Sequence, residues 1–254
     1  WSPDGQYLAF CGSKTSDYLT ATNMMLYDVA SEKTTLLRPG VHAPLSWSPD
    51  GTSLYYTKIE RGQYGSNFYD VFRYDVKTKK QTRLTKAMRT LEATVSPDGE
   101  EIVAVIQKDG TDNLVLLSRD GELKKQLTAF RFGEALFSPR WSPDGKKIVF
   151  SQGRRHGRDI YLMDLENGAL QPLVVVHGDA RDPVFSPDGG TIYFSWDKTG
   201  IFNIYSINPA DQSIQQYTNV IGGAFMPSVS LHGKIAYSHF DEDLVKRIPG
   251  PFFV

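Results

Sequence analysis

One short motif, Ser-Pro-Asp-Gly, recurs along the chain and limits what it can fold into. Trp-Ser-Pro-Asp-Gly stands at residues 1–5, 47–51 and 141–145, Val-Ser-Pro-Asp-Gly at 95–99, Phe-Ser-Pro-Asp-Gly at 185–189, and a decayed Val-Ser-Leu-His-Gly at 229–233. Their glycines are separated by 46, 48, 46, 44 and 44 residues. A period of about 40 to 50 residues that holds only short apolar runs is that of propeller blades or a related array. Proline presets φ for the first central position of a type I turn, and aspartate at the second accepts backbone hydrogen bonds. Glycine takes the left-handed position that closes the turn in a bulge. Asp4, Gly5, Asp50, Gly51, Asp98, Gly99, Asp144, Gly145, Asp188 and Gly189 are therefore expected to be structural turn residues. Five chemically identical aspartates spaced through one protein are not what a single active site needs.

The remainder of each period reads as strands. In the 141 copy, SPRWS precedes the turn and KKIVFSQ follows it, alternating as a half-buried strand should. Third strands are NMMLYDV (23–29), DVFRYDV (70–76), DNLVLLS (112–118), RDIYLMD (158–164) and FNIYSIN (202–208). More polar fourth strands follow: KTTLL, QTRLT, LKKQLT, LQPLVVV and IQQYT. Polar and charged side chains on an outermost strand discourage edge-to-edge pairing. The expectation is one all-β domain over 1–254, a six-bladed β-propeller of four-stranded antiparallel blades, the first and last incomplete. The blades fall at about 1–39, 40–86, 87–130, 131–176, 177–219 and 220–254. Trp1 sits at the end of an innermost strand and the sixth period is unfinished, so the chain is expected to be cut from a longer polypeptide.

Composition narrows function by exclusion. Net charge is −1, which gives no overall basic field for nucleic acid. No run of 18 apolar residues is present to span a membrane as a helix. The single cysteine, Cys11, falls on a second strand and is expected to be a buried, inert thiol. There is no zinc-binding HExxH, no GxSxG elbow, no phosphate-binding Walker loop and no calcium loop, and the five histidines lack metal-ligand spacing. No cofactor, metal or catalytic constellation is expected. Arg154, Arg155, His156 and Arg158 read as a solvated hairpin tip, with a phosphate or acidic-peptide contact as the other reading. His177, Asp179, Arg181 and Asp182 gather just before an innermost strand, where an arginine–carboxylate pair holding a loop competes with a ligand contact.

Residues 141–164, WSPDGKKIVFSQGRRHGRDIYLMD, carry a resemblance to the TolB-type β-propeller family, whose repeat joins WSPDG and a strand to a D-I-Y-x-M-D strand. The missing tryptophans of the third and fifth copies and the Leu-His-Gly of the last depart from it. The resemblance implies a periplasmic or cell-envelope location and binding of a partner protein or peptide segment at the channel mouth. The last blade, TNVIGGAFMPSVS followed by KIAYSHF, also resembles propellers fused ahead of outer-membrane surface-antigen barrels. Variation concentrates on the face carrying the entry loops and the second-to-third-strand loops at 11–22, 59–67, 108–111, 153–158 and 196–201. Aromatics beside charges there, Tyr18, Tyr64 and Trp196, suit protein contact. The candidate binding residues are Tyr64, Arg154, Arg155, Arg181, Asp182, Trp196, His42 and Glu92, with Arg89 nearby. The competing expectation is a gating or substrate-selecting propeller of a prolyl oligopeptidase or tricorn-type serine peptidase, with the catalytic domain outside this chain. A carbohydrate- or lyase-type enzyme would need clustered ligands at the axis, and only the 177–182 group comes close.

Overall fold

The structure, a computed structural model, describes residues 1–12, 22–61, 65–175, 177–240 and 252–253. Two compact units divide it, Trp1–Glu134 and Ala135–Val254. In the first unit, β1 (Tyr7–Gly12), β2 (Asn23–Asp28) and β3 (Lys33–Pro39) form a three-stranded antiparallel sheet. Two four-stranded sheets follow: β4 (His42–Trp47), β5 (Ser53–Arg61), β6 (Asn67–Asp75) and β7 (Gln81–Arg83), then β8 (Thr90–Val95), β9 (Glu101–Lys108), β10 (Thr111–Ser118) and β11 (Leu123–Gln126). The second unit repeats the plan with β12 (Leu136–Trp141), β13 (Lys147–Arg154), β14 (Gly157–Asp164) and β15 (Leu170–Val174), then β16 (Ala180–Phe185), β17 (Ile192–Trp196), β18 (Asn203–Ile207) and β19 (Ile214–Gln216). It ends with β20 (Gly223–Val229), β21 (Ile235–Phe240) and the two-residue β22 (Phe252–Phe253). Antiparallel four-stranded sheets in sequence order are the blades of a β-propeller. The count of six is corrected: among the described residues there are five blades, because the last group is a hairpin to which β22 adds only two residues.

Every Ser-Pro-Asp-Gly copy closes through the same bonds, the one at 2–5 ahead of β1 and the other four between the first two strands of their sheets. Gly99 N–H donates to Ser96 O at 3.0 Å and Gly99 holds φ +78°, as the turn requires. Asp98 accepts from Ser96 Oγ at 2.5 Å and from Glu100 N–H at 3.0 Å, while Ser96 Oγ accepts from Glu101 N–H. Asp4, Asp50, Asp144 and Asp188 repeat this pattern. The serine bond, then the backbone bond, holds each of these carboxyls below the ordinary range. The decayed copy is one residue tighter: Lys234, four residues after Ser230 rather than five, returns its N–H to the serine hydroxyl. With histidine in place of aspartate, nothing accepts the N–H of an extra residue.

Consecutive turns also touch. A side chain begun on Gly99 would lie 3.4 Å from Pro49, one on Gly51 would lie 3.7 Å from Pro3, and one on Gly189 would lie 3.5 Å from Pro143.

The middle strands are buried on both faces, which corrects the half-buried reading of KKIVFSQ: Ile148, Val149, Phe150 and Ser151 are all buried in succession. Within each unit consecutive sheets pack face to face, so in the first unit the β4–β7 sheet lies between two others and neighbouring residues on it face different cores. Leu54 and Tyr56 enter the cluster with Met24, Val41, Phe72 and Tyr74, while Tyr55 enters that of Ala93, Val95, Ile102 and Val115. In the second unit Val149, Ile160, Leu162 and Val174 meet Ala180, Ile192, Phe194 and Trp196. Each large aliphatic side chain buried this way stabilises the fold by roughly 1.5–3 kcal/mol. The outermost β11 and β19 are exposed throughout, as their Lys and Gln content implies.

A polar lock recurs inside three blades. Thr128 Oγ donates to Asn113 Oδ1 at 2.9 Å and accepts from Leu114 N–H at 2.9 Å, tying the fourth strand's end to the third strand's start. Thr85 with Asp70 and Thr218 with Asn203 do the same. In the fourth repeat Val174 occupies the threonine position, and Asp159 pairs with Arg154 instead.

Candidate functional site

The first strands β12, β16 and β20 share a bulge. Their pairing with the second strand shifts between Phe137 and Arg140, Arg181 and Val184, and Phe225 and Ser228. Within each bulge one residue, Ser138, Asp182 or Met226, holds a positive φ of 51°, 56° or 53° and is followed by proline. Bulges re-aim side chains and gather near functional sites. Here they bring Ser138 Oγ to 3.2 Å from Asp182 Oδ1 across neighbouring blades.

Cations and aromatic rings alternate around this pair. The Arg158 guanidinium lies 3.9 Å from the centre of the Phe137 ring. Arg181 lies 4.3 Å from Phe202 and 6.0 Å from Phe225, whose own rings are 4.8 Å apart. Asp179 stands between the two arginines, in an ion pair with Arg181 Nη2 and 3.9 Å from Arg158 Nε. Two atoms in this group are buried without a hydrogen-bond partner, Asp179 Oδ1 and Arg181 Nε. Backbone packing fixes the arrangement: a side chain on Gly157 would collide with the carbonyl oxygen of Gly178, so the β13–β14 hairpin rests directly on the loop that carries Asp179. That loop is further held by Asp179 N–H donating to Asp197 at 2.8 Å. Burial pushes the Asp182 carboxyl up from its ordinary value, against the Ser138 bond and the charges of Arg181, Arg158 and Arg140.

Of the residues singled out from sequence, Arg158, Asp179, Arg181 and Asp182 belong to this cluster. Arg154 is committed to the buried carboxylate of Asp159, and Arg155 is exposed at the hairpin turn. Trp196 is corrected: it is 8% exposed, pairs in register with Ala180, and packs edge-on against Tyr205 at 5.2 Å. It follows Ile192 and Phe194 on the same face of β17, which is why it enters the core rather than the loop surface. His42 lies on β4 opposite Thr57, and Glu92 is half-buried on β8 opposite Val105. Tyr64 and Tyr18 lie outside the described residues. Cys11 is half-buried, and burial pushes its thiol up to about 12, which disfavours the thiolate at neutral pH.

Sequence reasoning missed Phe137, Ser138, Arg140, Phe202 and Phe225. A second periodic signal marked three of them: Phe-Ser-Pro at 137–139, Arg-Asp-Pro at 181–183 and Phe-Met-Pro at 225–227 recur every 44 residues.

Residues 125–247 match the family described as the TolB beta propeller domain. Over that stretch, about half of the chain, the sequence matches the TolB-type β-propellers. A structure of a putative TolB from Agrobacterium tumefaciens aligns with a TM-score of 0.72 at 23% identity, covering 87% of this chain and 78% of that one. A TolB homologue of Chlorobium luteolum is 27% identical over 48% of this chain and 26% of its own length. Dipeptidyl-peptidase 5 of Porphyromonas gingivalis is 27% identical over 67% of this chain and 26% of its own length. The chain thus spans less than half the length of the curated relatives it matches. Among its described residues no helix is long and apolar enough to cross a membrane.

Proposed function

We propose that this TolB-type propeller is a non-enzymatic module, a single domain over residues 1–254, that binds a protein or peptide segment within a periplasmic or envelope-associated bacterial protein. The observation that carries the reading is the cluster on β12, β16 and β20. Arginines whose faces rest on aromatic rings, with their edges still carrying donors, are the side-chain combination over-represented at the centres of protein contacts. Similarity to TolB proteins supports the envelope location and the binding role. The test is affinity capture from envelope extract on the wild-type chain and on Arg181→Gln, with the retained proteins identified by mass spectrometry. A discrete partner retained by the wild type supports the reading, and capture of nothing specific overturns it.

The match to dipeptidyl-peptidase 5 favours a second reading, a propeller that gates or selects substrate for a serine peptidase domain outside this chain. The sequence of the parent gene beyond residue 254 decides between them: a GxSxG hydrolase segment favours gating, and alternating amphipathic strands favour an envelope barrel.

A further inference from the structure

We propose that Arg158 and Arg181, set on either side of Asp179 and beside Asp182, grip a carboxylate of the partner segment, at an acidic side chain or a free C-terminus. This rests on the binding-module reading and names the chemistry that the module recognises. Both guanidinium faces are already covered, Arg158 by Phe137 and Arg181 by Phe202 and Phe225. A guanidinium stacked on its face keeps its five N–H donors in the ring-free plane, where a carboxylate meets them two at a time. Asp179 does not saturate the pair: its Oδ1 is 3.9 Å from Arg158 Nε, beyond hydrogen-bond reach. Each arginine side chain is 27% exposed, so its edge is open to a ligand.

Charge selects the sign and size of the ligand. Three guanidinium groups, Arg140, Arg158 and Arg181, act on Asp182, and the carboxyls of Asp179 and Asp182 oppose them. The surplus is positive but small, which suits a monoanion; the flanking carboxyls repel a dianionic phosphate. Exposed apolar side chains occur on the adjoining β20–β21 hairpin. Met226, next to Phe225, is 56% exposed; Ile221, just before β20, is 92% exposed; and Phe240, paired with Gly223, is 60% exposed. The segment that fits is therefore a carboxylate flanked by apolar side chains.

The experiment uses fluorescence anisotropy on the full chain with three labelled hexapeptides: an end-blocked peptide centred on Leu-Glu-Leu, its Leu-Gln-Leu counterpart, and the latter with a free C-terminus. One of the two acids should bind about tenfold more tightly than the blocked glutamine peptide, and whichever does identifies the source of the carboxylate. Arg181→Gln should erase that preference. Arg181→Lys, which keeps the charge but loses the planar fork and its stacking, should leave only part of it, and Arg158→Gln gives an independent second lesion if Arg181 variants unfold. Lys125→Ala, on the exposed β11, should change nothing. Equal binding of the three peptides, no binding at about millimolar concentration, or a preference that survives Arg181→Gln and Arg158→Gln would overturn the proposal. A captured partner retained equally by wild type and Arg181→Gln would overturn it while leaving the binding-module reading intact.

Discussion

Ser138 donates its hydroxyl to Asp182 at 3.2 Å, and both residues hold positive φ immediately before a proline. A bond between the first strands of adjacent blades is thus made at the one place where each strand departs from regular pairing. The bulge spends local regularity to turn a polar side chain sideways, toward its neighbour instead of into its own sheet.

That placement makes stability depend on pH. Burial raises Asp182, so the folded chain holds this proton at pH values where the unfolded carboxyl, with a pKa of about 3.9, has lost it. The contribution is full below the unfolded pKa and is lost as pH rises through the folded one. The melting temperature should therefore carry a component that falls as pH increases above about 4, and Asp182→Asn should remove it. The turn aspartates, whose pKa values are lowered, act the opposite way, losing their contribution as pH falls further. Thermal melts of both proteins across the weakly acidic range measure the difference; identical profiles would contradict it.

Thr128→Val should destabilise the first unit by about 1–3 kcal/mol, because a nearly isosteric change leaves both Asn113 Oδ1 and Leu114 N–H without their hydroxyl partner. Thr35→Val, at an exposed position of β3, should fall within about 0.5 kcal/mol of wild type. Urea unfolding of the two variants provides the comparison.

Gly157 and Gly168 separate backbone conformation from close approach. Gly168 holds φ +73° in open space, so alanine there costs about 1–2 kcal/mol for the left-handed conformation alone. At Gly157 the added carbon also meets the Gly178 carbonyl, and Gly157→Ala should cost more and displace Arg158 from Asp179. Calorimetry gives the first result, and weakened binding of the acidic peptide gives the second.

Trp196→Ala should cost about 3–5 kcal/mol, the range for removing a large aromatic from a packed core. The cost arises from lost contact with Tyr205, Phe194 and Ala180, and chemical denaturation should show it whether or not a partner is present. A Trp196→Ala protein of unchanged stability would return this residue to the surface.

The turns and strand groups were legible because their chemistry is local: serine, proline, aspartate and glycine close the turn with bonds made inside six residues. The polar lock was half visible, since three fourth strands end in threonine at residues 85, 128 and 218. Its partners Asp70, Asn113 and Asn203 stand 15 residues earlier, a spacing that means nothing until the blade is folded. Trp196 was misread because a strand end was placed one residue early, although Ile192 and Phe194 already set the alternation that carries it inward. The Arg–Phe alternation was not legible at all: Phe137, Arg158, Arg181, Phe202 and Phe225 come from five separate segments that only the stacking of blades brings together.

The close approach of Pro49 to Gly99, and of Pro143 to Gly189, means that these repeats carry half of their own fastening to the next. A duplicated or exchanged repeat would arrive with a proline for one neighbour and a glycine for the other, so recombination at this period preserves the seam without any matching mutation. Genes assembled from such pieces can lengthen or shorten by whole blades, and the Leu-His-Gly copy, which lacks that proline, is where such an exchange would leave a seam unfastened.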